Sequence, residues 1–144
     1  MVCVYGSGTL GWQIALQCAN NSHPVKLYDI SREALDKASQ NISAELNSRL
    51  TEYKITAEER NLTLNRLQIE SNPSEAVRGA DLVIEAVPER LDVKRSIFHN
   101  LDAICDRETI IATNSSSIRV SMLEDETNRR DRVLNTHFYS FPWK

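Results

Sequence analysis

At 144 residues, 41% hydrophobic and 26% charged, the chain can bury one ordinary globular core, and its composition argues against a disordered, collagen-like or membrane-embedded polypeptide. Its 17 Lys and Arg against 20 Asp and Glu leave a formal charge of -3, which offers no broad basic field to nucleic acid or anionic lipid. No basic leader opens the chain, and its longest apolar runs fall far short of the roughly 20 residues that a bilayer span requires, so a cytoplasmic address is expected.

Short apolar runs alternate with stretches of helical period, the signature of a parallel sheet covered on both faces. Residues 2–5 read as a first strand, 6–11 as a glycine turn, 12–19 as a helix and 25–29 as a second strand, which makes one βαβ unit. Ser31 is placed to cap a long helix with Leu35, Ala38, Ile42, Leu46 and Leu50 on its inward face. Thr56 and Glu59 form a capping box for a second helix through Leu62 and Arg66, so the two are expected as a helical hairpin. A short strand at 67–69 follows. Asn72 and Pro73 then open a short helix running to Arg78, and Gly79 ends it. Residues 82–87 read as a buried strand, 93–104 as an amphipathic helix, and 109–112 and 133–136 as two further strands. The expected class is α/β, a Rossmann-type doubly wound parallel sheet with a helical hairpin insertion, in a single domain over residues 1–144.

Gly6, Gly8 and Gly11 stand in G-x-G-x-x-G spacing, directly after a strand and directly before a helix. In that setting the first glycine permits a tight turn, the second lets main chain approach a pyrophosphate, and the third lets helix and strand pack closely. The turn residues Gly6, Gly8, Thr9, Leu10 and Gly11 are therefore expected to hold a dinucleotide with the free amides of a helix N-terminus. Asp29 ends the second strand 18 residues after Gly11, where an acid accepts hydrogen bonds from the adenosine ribose and repels a ribose phosphate. NAD is favoured over NADP on that ground. FAD uses a similar fingerprint, but the segments that would hold its isoalloxazine ring are not visible here.

The segment ADLVIEAVPERLDVKRSIFHNLDAICDRETIIATNSSSI, from Ala80 onward, resembles the 3-hydroxyacyl-CoA dehydrogenase family, and the likeness runs from the glycine turn to the later strand ending in His137 and Phe138. The interval from Asn114 to His137 matches that family without a gap. The resemblance implies that Ala86, Glu89 and Lys94 line the cofactor or its nicotinamide ribose, that Asn114 contacts nicotinamide or substrate, that Ser116 binds the substrate oxygen, and that His137 is the catalytic histidine. It also implies a further all-helical domain, and a glutamate orienting the histidine, beyond the end of this sequence. The substrate implied is a 3-hydroxyacyl-CoA or related 3-hydroxy acid. Oxidation of its secondary alcohol needs a base for the hydroxyl proton as hydride leaves, and an imidazole with its ordinary pKa near 6.5 suits that role.

Taken without the resemblance, residues 114–117 read equally as a polar turn capping a helix at Ile118, Glu89 and Lys94 as solvated surface charges, and His137 as a strand-end histidine. His23 and His99 are expected to be structural. Cys3, Cys18 and Cys105 are odd in number, lack C-x-x-C spacing and sit in apolar stretches, so buried thiols are expected and no metal site. Where the family reads Phe-Phe-Asn-Pro after its histidine, this chain has Phe138, Tyr139, Ser140, Phe141, Pro142 and Trp143, with Ser140 in place of the asparagine. Those aromatics are expected to leave an exposed apolar C-terminal face through which the chain self-associates. Two functions stay open: an NAD-dependent oxidoreductase, and an NAD-binding module without turnover of its own.

Overall fold

The computed structural model describes residues 1–142. Six strands form one sheet: β1 (Val2–Tyr5), β2 (Val25–Tyr28), β3 (Leu67–Glu70), β4 (Leu82–Glu85), β5 (Ile110–Thr113) and β6 (Val133–Asn135). All neighbours run parallel in the order β3-β2-β1-β4-β5-β6. The order reverses between β1 and β4, and at such a switch point a doubly wound sheet opens its binding crevice beyond the carboxyl ends of the strands.

The central strands β1, β2, β4 and β5 are buried on both faces, so their side chains alternate between two apolar layers, whereas the edge strands β3 and β6 stay partly exposed. Val4, Leu27, Ile84 and Ala112 face α1 (Gly11–Asn20) and α2 (Arg32–Thr51), where Ile14, Leu16, Leu35, Ile42 and Leu46 close one core. Cys3, Val83 and Ile111 face the opposite layer, which α4 (Pro73–Val77) and α5 (Leu91–Ile104) cover with Val77, Phe98 and Leu101. Glu85 continues the alternation of Val83, so a carboxylate points where the pattern calls for an apolar side chain.

The hairpin forms as the caps direct. The Ser31 hydroxyl accepts the Ala34 amide, and Thr56 and Glu59 exchange both bonds of a capping box at the start of α3 (Ala57–Asn65). Leu35, Ala38, Ile42 and Leu46 are buried as expected, whereas Leu50 is half-buried. Asn72 caps α4 through the Ser74 and Glu75 amides, Pro73 takes its first position, and Gly79 turns the chain out at φ 71°.

The crossover from β5 to β6 departs from the helix expected at Ile118. It is made of three single 3₁₀ turns, Val120–Met122, Glu124–Glu126 and Arg130–Arg132. Arg129 fastens it to α5, donating to the Asp102 carboxylate at 2.7 Å and to the Asp102 carbonyl at 2.9 Å. That clamp satisfies a carbonyl in the last turn of α5, where a cation is also electrostatically favoured. Among the described residues no helix is long and apolar enough to cross a membrane.

Candidate active site

A cleft of about 960 Å³ lies across the carboxyl ends of β1, β2, β4 and β5. Of the residues singled out in the sequence, Gly6, Gly8, Thr9, Leu10, Asp29, Ala86, Glu89, Lys94, Asn114 and Ser116 all line it. Gly11 and His137 are not on its wall. Gly11 lies behind the turn, and His137 reaches the cleft through Ser116.

The three glycines of the turn answer to different neighbours. A Cβ on Gly11 would stand 1.8 Å from the Gly6 carbonyl oxygen, and one on Gly6, whose φ is 114°, would stand 2.8 Å from the Ala86 carbonyl oxygen. Both are fixed by packing within the protein. A Cβ on Gly8 would meet nothing within 4 Å, so what its missing side chain leaves open is the cleft itself.

The start of α1 is also left for a ligand. Side chains cap α2, α3 and α4, and acids sit in the first turns of α2, α3, α4 and α5. At α1 the N-cap Leu10 gives no side-chain bond and the first turn holds no acid. Uncapped amides with the positive end of a helix dipole behind them suit a diphosphate.

Asp29 stands beside this turn. One carboxylate oxygen accepts the Ser7 amide at 2.8 Å and the Ser7 hydroxyl at 3.0 Å, and the other accepts the Ser31 amide at 2.9 Å. The acid thus ties the glycine turn to the start of α2 while facing the cleft. Below it the buried rings of Tyr5 and Tyr28 meet at 4.2 Å between centroids.

The opposite wall is built around carboxylates. Glu89 gathers the loop after β5: one oxygen accepts the Ser116 amide at 3.1 Å, the Ser117 amide at 2.9 Å and the Ser117 hydroxyl at 2.8 Å, and it also takes the Ser115 hydroxyl. Burial by itself would raise the Glu89 carboxyl, but the Ser115 and Ser117 donors and the nearby Lys94 ammonium outweigh it and hold the group at about 2. Lys94 is only 1% exposed and pairs at 2.6 Å with fully buried Glu85, so it is not a solvated surface charge, whereas Glu89 keeps an exposed side chain while binding the serine loop.

Ser116 and Ser117 are both exposed, but the Ser117 hydroxyl is turned to Glu89, whereas His137 Nε2 lies 3.0 Å from the Ser116 hydroxyl. The Asn114 side-chain oxygen accepts the Phe138 amide, and Asn135 donates to the Ser115 carbonyl at 2.9 Å, so the ends of β5 and β6 are laced together around this pair. His137 itself has φ 36°, a left-handed backbone that a histidine adopts at a cost and that neighbouring contacts must hold. Gln13 of α1 accepts the Phe141 amide at 2.7 Å and packs the following tail across the helix.

The profile of the 3-hydroxyacyl-CoA dehydrogenase NAD-binding domain matches residues 1–144. The chain belongs to the 3-hydroxyacyl-CoA dehydrogenase family. As that family's NAD-binding domain, it takes NAD as its cofactor. It is 46% identical over 139 residues to the 3-hydroxyadipyl-CoA dehydrogenase of Escherichia coli (strain K12), covering 96% of this chain and 29% of that protein. It is 34% identical over 137 residues to a probable 3-hydroxybutyryl-CoA dehydrogenase of Bacillus subtilis (strain 168), covering 95% of this chain and 47% of that one. A crystal structure of 3-hydroxybutyryl-CoA dehydrogenase from Escherichia coli K12 superposes with a TM-score of 0.95 at 44% identity, over 99% of this chain and 30% of that one. The chain therefore spans less than half the length of these relatives.

Several working parts of this NAD-binding domain escaped sequence reading. Ser7, Glu85, Ser115 and Ser117 are ordinary residues for a turn or a strand end, and their partners lie 22 to 28 residues away or across a helix turn. For Glu85 a signal existed: an acid ending a run of buried strand residues, with a lysine nine positions on.

Proposed function

We propose that this chain is the cofactor-binding part of an oxidoreductase that oxidises the 3-hydroxyl of a 3-hydroxyacyl-CoA, or a related 3-hydroxy acid, with His137 as general base. The observation that carries the reading is the 3.0 Å contact between His137 Nε2 and the Ser116 hydroxyl at the edge of the cleft. NAD, when bound, supplies the hydride acceptor. Ser116 holds the substrate oxygen beside the imidazole, and His137 Nε2 accepts the hydroxyl proton, a task for which a positioned base is worth about 10²- to 10⁴-fold. In the reverse direction the imidazolium returns that proton to the oxygen.

Gly6, Gly8, Thr9, Leu10 and Gly11 hold the diphosphate through main-chain amides, and Asp29 takes the adenosine ribose. Ala86, Glu89, Lys94 and Asn114 serve the nicotinamide half. Supporting this division, Asp29 follows β2, whereas Ala86, Glu89, Lys94 and Asn114 cluster around the ends of β4 and β5 on the other side of β1. Residues 1–144 make one domain, completed for catalysis by a helical domain of the kind the relatives' greater length leaves room for. A cytoplasmic address and a small-molecule substrate go with this reading. Of the aromatic tail, Phe138 packs against the core beneath α1 and α2, while Tyr139 and Phe141, exposed by 75% and 49%, serve as the face on which a second copy docks. Light scattering tests that contact, and a concentration-independent monomer overturns it. Trp143 lies outside the described residues.

Titration with NAD and NADP, followed by an NADH absorbance assay with a 3-hydroxyacyl-CoA, tests the function. Turnover that disappears in His137→Ala supports the dehydrogenase. Tight NAD binding without any turnover selects the second reading, a nucleotide-binding module completed by another polypeptide, which the chain's coverage of less than half of its relatives favours.

A further inference from the structure

Glu85 is fully buried on the α5 side of β4, a place where an unpaired charge is costly, and it touches no solvent and does not itself line the cleft. Its bonds show what keeps it there. One oxygen accepts Lys94 Nζ at 2.6 Å and the Val87 amide at 2.8 Å, and the other accepts the Thr113 hydroxyl at 2.7 Å. The carboxylate is thereby joined to α5, to the loop after β4, and to β5 immediately before Asn114.

Lys94 is less evenly served. Its ammonium has three protons to give but one short bond, the one to Glu85. Its other two neighbours, Glu89 Oε2 at 3.4 Å and the Val87 carbonyl at 3.5 Å, are beyond good hydrogen-bonding distance. Yet Lys94, unlike Glu85, belongs to the wall of the cleft, on the side that also holds Asn114 and Ser116. A charged donor with spare protons is thus fixed against the binding space by an acid placed behind it.

We propose that Glu85 is a positioning residue for the cofactor: its carboxylate holds Lys94 aimed, so that the ammonium's spare protons meet acceptors on the nicotinamide-ribose half of the dinucleotide. The proposal rests on the reading of Lys94 as a cofactor contact. It predicts an effect confined to one half of the ligand, because Asp29, which takes the adenosine ribose, lies on the far side of β1, and the bonds of Glu85 run to Val87, Lys94 and Thr113 rather than to the glycine turn.

Calorimetric titration of the wild type, Glu85→Gln, Lys94→Met and the double variant with NAD and with ADP, at a temperature where each remains folded, tests it. Glu85→Gln and Lys94→Met are each expected to weaken NAD binding roughly tenfold, the effect of losing one bond to a charged group, and to leave ADP binding unchanged. The double variant is expected to bind NAD as Lys94→Met does, since Glu85 acts through Lys94. Weakened NAD binding in Lys94→Met with none in Glu85→Gln overturns the proposal. So does an equal loss of NAD and ADP affinity in Glu85→Gln, which marks a merely structural acid, or a double variant weaker than Lys94→Met alone. Full NAD affinity in Lys94→Met sinks the contact reading itself and the proposal with it. If Glu85→Gln does not fold, Thr113→Val, which removes the hydroxyl that donates to Glu85 and accepts the Ser115 amide, is expected to show the same selective loss at about threefold. Unchanged NAD binding in that variant counts against the role.

Discussion

Residues of one type in one turn can carry separable duties, and the glycines separate them cleanly. Gly8→Ala should fold with an unchanged melting temperature, because its Cβ would meet nothing within 4 Å, yet lose NAD affinity roughly tenfold or more. Gly11→Ala should instead destabilise the fold by about 3 kcal/mol or more, since its Cβ would stand 1.8 Å from the Gly6 carbonyl oxygen. Denaturation and NAD titration of the two variants check the contrast. Glu89 makes a pH prediction. Its carboxyl sits at about 2 when folded, against an ordinary unfolded value of about 4.3, so the folded state binds the proton more weakly. The stability this contributes is complete above about 4.3 and is lost as pH falls toward about 2. Urea midpoints of Glu89→Gln measured across that window should therefore fall less steeply on acidification than those of the wild type. At this scale the sequence revealed the glycine spacing, Asp29 and the succession of Asn114, Ser116 and His137. It did not reveal that Ser7 fastens Asp29, a contact 22 residues apart with no local pattern, and the one cue that Glu85 backs Lys94, an acid closing a buried strand nine residues before a lysine, went unread.

The helices differ in how their first amides are used, and the difference is chemical. Ser31, Thr56 and Asn72 close α2, α3 and α4 with their own oxygens, while α1 begins at Leu10 with no side-chain bond. Leu10→Asp places an acceptor at that position and should raise stability by about 0.5–1 kcal/mol through capping and the helix dipole. The same carboxylate would compete with and repel a diphosphate, so NAD affinity should drop; thermal melts with and without NAD show both effects. Strands and capped helices were legible because burial and capping leave local residue patterns, and every expected strand is found within two residues of its place. The stretch from 114 to 132 reads as a polar turn capping a helix at Ile118, a helix that does not form. Its shape comes from distant anchors, Glu89 on the serine loop and Arg129 on the end of α5, rather than from its own periodicity.

For the molecule as a whole, NAD binding needs the folded domain, so ligand and fold are linked. Saturation at about 100 times Kd should stabilise the protein by about 2.7 kcal/mol, read as a rise in melting temperature that ADP reproduces in part and NADP barely at all. Fold class and cleft position were legible together, since the alternation of strands and helices sets the parallel sheet and the glycine turn sets where it opens. Sheet order also bears on how the chain is made. β1 lies at the centre, and Val2 pairs with Val25 on one side but with Leu82, eighty residues on, at the other. During synthesis at about 5–20 residues per second, that second flank stays bare for several seconds, open to strand addition by other nascent chains until β4 leaves the ribosome.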